Sequence, residues 1–198
     1  MMRIGVFGGS FNPVHNGHVL VALRAMEQAQ LDRLLVIPVA EPPHKELKDA
    51  LPGELRLNLL SLAFAGVPGV EVDATEIRRG GKSYTVDTLR SLRDREPPAH
   101  WFFVLGGDSL ATLGSWREAQ VLLSELTFVA YPREGAKNAT APAGARVQFL
   151  TGAEFPNSST EIRERMRRGS ALRGLVPESV EARLHFFCAS LDRVSNGP

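Results

Sequence analysis

The sequence predicts an α/β fold: one domain built on a parallel sheet with helices on both faces. Three observations carry the prediction. Short apolar runs alternate with amphipathic stretches along the chain. The first run, Ile4-Gly5-Val6-Phe7, enters a glycine-rich turn, Gly8-Gly9-Ser10-Phe11-Asn12-Pro13-Val14-His15-Asn16-Gly17-His18, and then an amphipathic stretch. Residues 8–18, 42–45 and 106–109 each follow a strand directly. In a parallel sheet this gathers them beyond the carboxyl ends of the strands, where such folds bind ligands.

The elements follow in order. Residues 2–7 read as a strand. In 19–30, Val19, Ala22, Leu23 and Met26 fall on one helical face. A buried strand over 34–39 leads to a loop over 40–52. Residues 54–65 form a helix with Leu55, Leu59, Leu62 and Ala63 inward. A short strand covers 70–73, and a helix over 84–95 is stopped by Pro97-Pro98. The strongly apolar strand 100–105, with Trp101 in the core, ends at Gly106-Gly107. A helical region at 116–124 precedes a strand at 126–131 and a polar surface loop at 133–145. The last strand is 147–150, and helices at 159–168 and 177–191 pack on the same domain. There is no internal repeat and no linker, so residues 1–198 form one unit.

Bulk properties exclude several classes of function. Lys+Arg 23 against Asp+Glu 22 gives a net charge of +1, so no global field recruits nucleic acid or a membrane surface. No apolar run reaches the roughly 20 residues of a membrane span, and the start lacks a signal-peptide core. The lone Cys188 excludes an internal disulfide framework and fits a reducing compartment. The expectation is a cytoplasmic protein. The apolar stretch Leu184-His185-Phe186-Phe187 suits internal packing or a homo-oligomer, and both readings stay open.

The glycine turn is built to grip phosphates. Unpaired amides of the turn and helix start point one way. Glycines admit a ligand close to the backbone, and the imidazoles of His15 and His18 add donors. Without a cysteine or carboxylate cluster nearby, this pair is a weak metal site, and no metal ligand is assigned. Ser10 and Asn12 are expected to shape the turn through local side-chain to backbone bonds. A second anion site lies at Ser158-Ser159-Thr160-Glu161, a capping box with Arg163 one turn in. Arg165, Arg167 and Arg168 form a solvated face. The dinucleotide fingerprint and a Walker lysine are both absent.

The turn with its His-x-Gly-His and the late Ser158-Ser159-Thr160-Glu161-Ile162-Arg163 together resemble the signature pair of the nucleotidylyltransferase superfamily. Three further stretches resemble bacterial nicotinate mononucleotide adenylyltransferases: Pro42-Pro43-His44-Lys45, Ser83-Tyr84-Thr85-Val86-Asp87-Thr88-Leu89, and Gly106-Gly107-Asp108-Ser109-Leu110 with Trp116. The resemblance runs from about Arg3 to Val180. It implies a Rossmann-like sheet of the nucleotidylyltransferase type and transfer of AMP from ATP to nicotinate mononucleotide, with release of pyrophosphate. The chain departs from the family at Asn157, where an apolar residue usually precedes the serines, and at its C-terminal end, which is not tyrosine-rich.

That reaction explains which residues are present. The nucleophile is a phosphate monoester with a second pKa of about 6, so it needs no general base. It needs in-line positioning and donors for the charge on the leaving pyrophosphate. The resemblance implies that Gly8, Gly9, Ser10, Phe11, Gly17 and Gly106 frame ATP, with Ser158, Ser159 and Thr160. His15 and His18 hold the triphosphate, His18 at the α-phosphate, and Arg163 takes the β- and γ-phosphates. Asp108 faces ribose hydroxyls, and Lys45 with His44 faces the mononucleotide phosphate. Ser83, Tyr84 and Thr85 select the acid over the amide, and Trp116 stacks on the pyridine ring. Mg²⁺ is expected with the triphosphate, held by phosphates and water. Pantetheine-phosphate adenylyltransferases and cytidylyltransferases share part of this pattern, and a regulator that lost turnover would keep its fold. The whole reading requires the first turn and the serine cluster to face each other across one cleft.

Overall fold

The computed structural model describes residues 1–43, 49–131, 140–152 and 158–195. Six strands form one parallel sheet: β1 (Met2–Gly9), β2 (Arg33–Pro38), β3 (Val70–Val72), β4 (Ala99–Gly106), β5 (Leu126–Tyr131) and β6 (Arg146–Phe149), in the order β3-β2-β1-β4-β5-β6. Val6 of β1 sits in register with Leu35 on one side and Phe103 on the other. The chain winds outward from β1 to β3, returns beside β1 as β4, and winds outward again. The connections leaving β1 and β4 therefore part, and the crevice between them opens at the carboxyl ends.

Both faces of the sheet are covered, which is why its strands read as continuous apolar runs. Phe7, Leu34, Val36, Phe102 and Val104 pack toward helices α1 (Asn16–Gln28), α2 (Gly53–Ala63), α7 (Ser159–Arg167) and α8 (Glu178–Ser195). Ile4, Val6, Leu35, Ile37, Phe103 and Leu105 pack the other way, toward α4 (Thr85–Arg93), α5 (Gly107–Thr112) and α6 (Ala119–Glu125). Gly5 is needed in the central strand: a Cβ there would come within 2.5 Å of Leu31 Cδ1 and 2.7 Å of Leu34 Cδ1. Trp101 is core, as expected.

Four differences from the sequence expectation have physical causes. Helix α1 starts at Asn16, and its buried face is Gly17, Val21, Ala22 and Ala25, leaving Leu23 38% exposed. Small residues let the helix approach the sheet closely, and apolar periodicity does not register Gly17. The short helices α3 (Thr75–Arg79) and α5 have no counterpart in the sequence expectation, being too brief to show a period. The helix expected at 116–124 begins only at Ala119, because Trp116 is extended and Glu118 is left-handed at φ 52°, after a 3-10 turn over Leu113–Ser115. Leu62 and Ala63 are half-buried against the core rather than within it. Part of the expected loop 133–145 lies outside the described residues.

Candidate active site

The β1–α1 turn is a folded unit in which each residue holds the next. Phe11 is buried and left-handed at φ 42°, and its ring meets Phe7 edge-on at 5.2 Å and the His18 ring at 4.9 Å. Gly9 makes room for it, since a Cβ there would stand 3.0 Å from Phe11 Cζ. His15 caps α1 with extended backbone, its N–H donating to His18 Nδ1 at 3.2 Å, and the two rings stack with centroids 3.7 Å apart. With Nδ1 accepting, a neutral His18 carries its proton on Nε2.

Helix α7 closes on this turn from 146 residues away in sequence, with Ser159 Oγ donating to the Pro13 carbonyl at 2.9 Å. Arg163 Nη1 donates to the Asn12 carbonyl at 2.8 Å and Nη2 to Thr160 Oγ1 at 3.3 Å, while its buried Nε has no partner among the described residues. Ser158 is the N-cap, its Oγ accepting the Glu161 N–H, as the capping pattern predicts. The C-terminal segment adds a further tie, with Asn16 Nδ2 donating to the Gly174 carbonyl at 2.9 Å. The glycine turn and the serine helix start thus face each other across one cleft.

Between them lies a cavity of about 560 Å³, walled also by the ends of β4 and β5 and the start of α4. Every site residue expected from the sequence and lying among the described residues lines it, except two. His15 sits one layer behind His18, and Gly17 is buried in the first turn of α1. His44 and Lys45 lie outside the described residues, although Pro42 and Pro43, which precede them, are in the wall. Asn12 bonds at longer range than expected. Its Oδ1 accepts the Leu51 N–H at 2.8 Å and its Nδ2 donates to the Asp49 carbonyl, so it ties the turn to a distant segment.

At the other end of the cavity, Ser83 is buried with its hydroxyl engaged, Oγ accepting the Ala40 N–H at 3.2 Å. Beside it Glu76, 7% exposed, accepts from Thr88 Oγ1 at 2.6 Å. Burial pushes the Glu76 carboxyl above the ordinary range, against hydrogen bonds from Thr88 and Ser83 and the charge of Arg79 that pull it down. Tyr84 caps α4 through its backbone, and Thr85 opens the helix. Arg117 stacks over the Tyr84 ring at 4.8 Å and donates to Asp87 Oδ2 at 3.2 Å. Trp116 stands edge-on to Phe103 at 5.8 Å. Arg117 and Glu76 both line the cavity, yet sequence reasoning passed over them. For Arg117 the available signal was its place next to Trp116; Glu76, in a short helix, offered none.

No group of three or more His, Cys, Asp or Glu converges as a metal site among the described residues, and none of their helices is long and apolar enough to cross a membrane. A sequence profile described as cytidylyltransferase-like matches residues 6–165, from β1 into α7. A probable nicotinate-nucleotide adenylyltransferase of Gemmatimonas aurantiaca is 41% identical over 186 residues, covering 90% of this chain and 88% of that one. Another, of Thermotoga maritima, is 41% identical over 193 residues, with 93% and 92% covered. The chain belongs to the nicotinate-nucleotide adenylyltransferases of the cytidylyltransferase-like family. A solved member, the Plasmodium falciparum nicotinic acid mononucleotide adenylyltransferase complexed with NaAD, superposes with a TM-score of 0.72 at 16% identity, covering 94% of this chain and 96% of that one. The same parasite protein complexed with APC gives 0.73. At that identity the likeness shows the shared fold, the Rossmann-like sheet of the nucleotidylyltransferase type.

Proposed function

We propose that this protein transfers AMP from ATP to nicotinate mononucleotide, forming nicotinate adenine dinucleotide and pyrophosphate. The observation that carries the reading is the clasp of α7 onto the glycine turn, Ser159 to Pro13 and Arg163 to Asn12, beside a cavity of about 560 Å³ that reaches the start of α4 and Trp116. Curated relatives of this name at 41% identity support it.

The chemistry follows from the groups in the wall. Turn amides from Gly8 to Ser10 and the amides and hydroxyls of Ser158, Ser159 and Thr160 approach the triphosphate from two sides. His18 donates from Nε2 to the α-phosphate as charge builds there, and His15 behind it holds the ring in that tautomer and orientation. Arg163, anchored through Nη1 to Asn12 and Nη2 to Thr160, presents the remaining Nη protons of its guanidinium toward the leaving pyrophosphate. No residue is asked to deprotonate the nucleophile, because the acceptor phosphate is already ionised. Asp108 at the end of β4 meets ribose hydroxyls, and Lys45 with His44 meets the acceptor phosphate.

Mg²⁺ would be held by the phosphates of ATP and would offset their charge. The donors around the glycine turn are amides, hydroxyls, an imidazole and a guanidinium, which suit phosphate oxygens, and this fits an ion held by the nucleotide and water. For the acceptor, Trp116 offers a face to the pyridine ring, while the start of α4 and the Arg117 guanidinium favour its carboxylate. The lone Cys188 and the use of ATP suit the reducing cytoplasm.

The test is pyrophosphate release from ATP and Mg²⁺ with nicotinate mononucleotide, nicotinamide mononucleotide or phosphopantetheine as acceptor, and CTP as alternative donor. The expected result is fastest release with ATP and nicotinate mononucleotide. No release with that pair, or a faster reaction with another, overturns the proposal.

A further inference from the structure

Arg56 lies on α2, outside every motif of the reaction, and is only 3% exposed. Among the described residues its hydrogen bonds all go to backbone carbonyls drawn from three segments. Nε donates to Leu51 at 3.1 Å, Nη1 to Ser10 at 2.9 Å and to Val39 at 2.7 Å, and Nη2 reaches Ala40 at 3.5 Å. Among the described residues it has no carboxylate within ion-pair distance. Arginine is rarely buried without a charge partner. Here the guanidinium sits among backbone carbonyls of separate segments and ties them to one another.

The three segments have different duties. Ser10 belongs to the turn proposed to hold the ATP phosphates. Val39 and Ala40 leave the end of β2, and the Ala40 N–H donates to Ser83 Oγ, beside the α4 start proposed to hold the acceptor carboxylate. Leu51 also gives its N–H to Asn12 Oδ1, returning to the turn. One guanidinium therefore spans the nucleotide side and the acceptor side of the cavity.

We propose that Arg56 is a positioning residue that sets the acceptor subsite in register with the nucleotide turn. The inference rests on the proposed function for the identity of the two sides. In-line attack needs the reacting atoms about 3–3.5 Å apart, and a slip of about 1 Å costs on the order of 10²-fold in rate. The predicted signature is a loss in kcat with both KM values held.

Arg56→Met and Arg56→Lys test it, with wild-type protein alongside. Arg56→Met is expected to lower kcat on the order of 10²-fold with KM for ATP and for nicotinate mononucleotide near wild type. Arg56→Lys, which keeps the charge and part of the carbonyl bonding, should recover part of that loss. The second readout is amide hydrogen exchange with a non-hydrolysable ATP analogue and no acceptor. In wild type the analogue should slow exchange both in residues 8–18 and in residues 39–41; in the variants the slowing should be confined to 8–18. If Arg56→Met does not fold, Arg56→Lys carries both readouts. Wild-type kcat in the variants, a loss carried entirely by KM, or an unchanged exchange pattern overturns the role of Arg56. A wild-type protein inactive toward nicotinate mononucleotide strikes the proposed function instead, and the exchange measurement still decides Arg56.

Discussion

His18 shows how a single side chain acquires a role from its neighbours. The His15 N–H fixes one ring nitrogen as an acceptor and the Phe11 edge fixes the ring plane, so the proton of a neutral ring sits on Nε2. His18→Ala should therefore cut turnover by about 10²–10³-fold, the usual loss for one donor to developing charge, as read from steady-state kinetics. Near-wild-type turnover would remove it from the reaction. Glu76 carries the residue-scale prediction for pH. Burial raises its carboxyl in the folded protein, whereas in an unfolded chain glutamate titrates near about 4.3. The stabilisation from its protonated form is complete below that unfolded value and is lost as pH rises through the folded one. Glu76→Gln, which cannot ionise, should thus gain in Tm on wild type more at pH 7 than at pH 4. Melting curves at the two pH values check this, and a larger gain at pH 4 would contradict it.

Two helix starts do most of the work at the scale of elements. The α7 start, proposed to hold the triphosphate, is capped by Ser158 and bolts itself to the glycine turn through Ser159. At α4 the backbone cap is Tyr84, whose ring supports Arg117, while Ser83 turns inward to Ala40. In the proposed function, selection of the acid over the amide divides between the α4 start, worth about 0.3–1 kcal/mol, and the guanidinium. A hydrogen bond to a charged group contributes roughly 1.5–3 kcal/mol, less where water screens it, and Arg117 is half-exposed. Arg117→Ala should accordingly lower the kcat/KM preference for nicotinate over nicotinamide mononucleotide by about fivefold to tenfold. Paired kinetics with the two acceptors measure it; an unchanged ratio would leave selection to the helix alone.

For the whole molecule, the order β3-β2-β1-β4-β5-β6 creates the crevice, and the C-terminal helices close it. Leu184 of α8 is fully buried in the same core as Leu59 and Leu60 of α2 and Ile162 of α7. Leu184→Ala should cost about 2–5 kcal/mol of unfolding free energy in denaturant titrations while leaving KM for ATP near wild type below the transition. A loss of ATP affinity without a loss of stability would give α8 a direct part in the site.

The sequence by itself determined the sheet class, the glycine turn, the serine helix start and most of the cavity wall. Those signals are local: strand burial shows as apolar runs, and anion sites show as glycines, caps and short spacings. Which way a helix turns and which distant groups meet were decided by the tertiary structure. Leu23 faces out because Gly17 and Ala25 allow the closer approach, and His15 sits behind His18 because their rings stack. Arg56, Glu76 and Arg117 joined the site through bonds to residues far along the chain or through burial, and no local pattern encodes such partners.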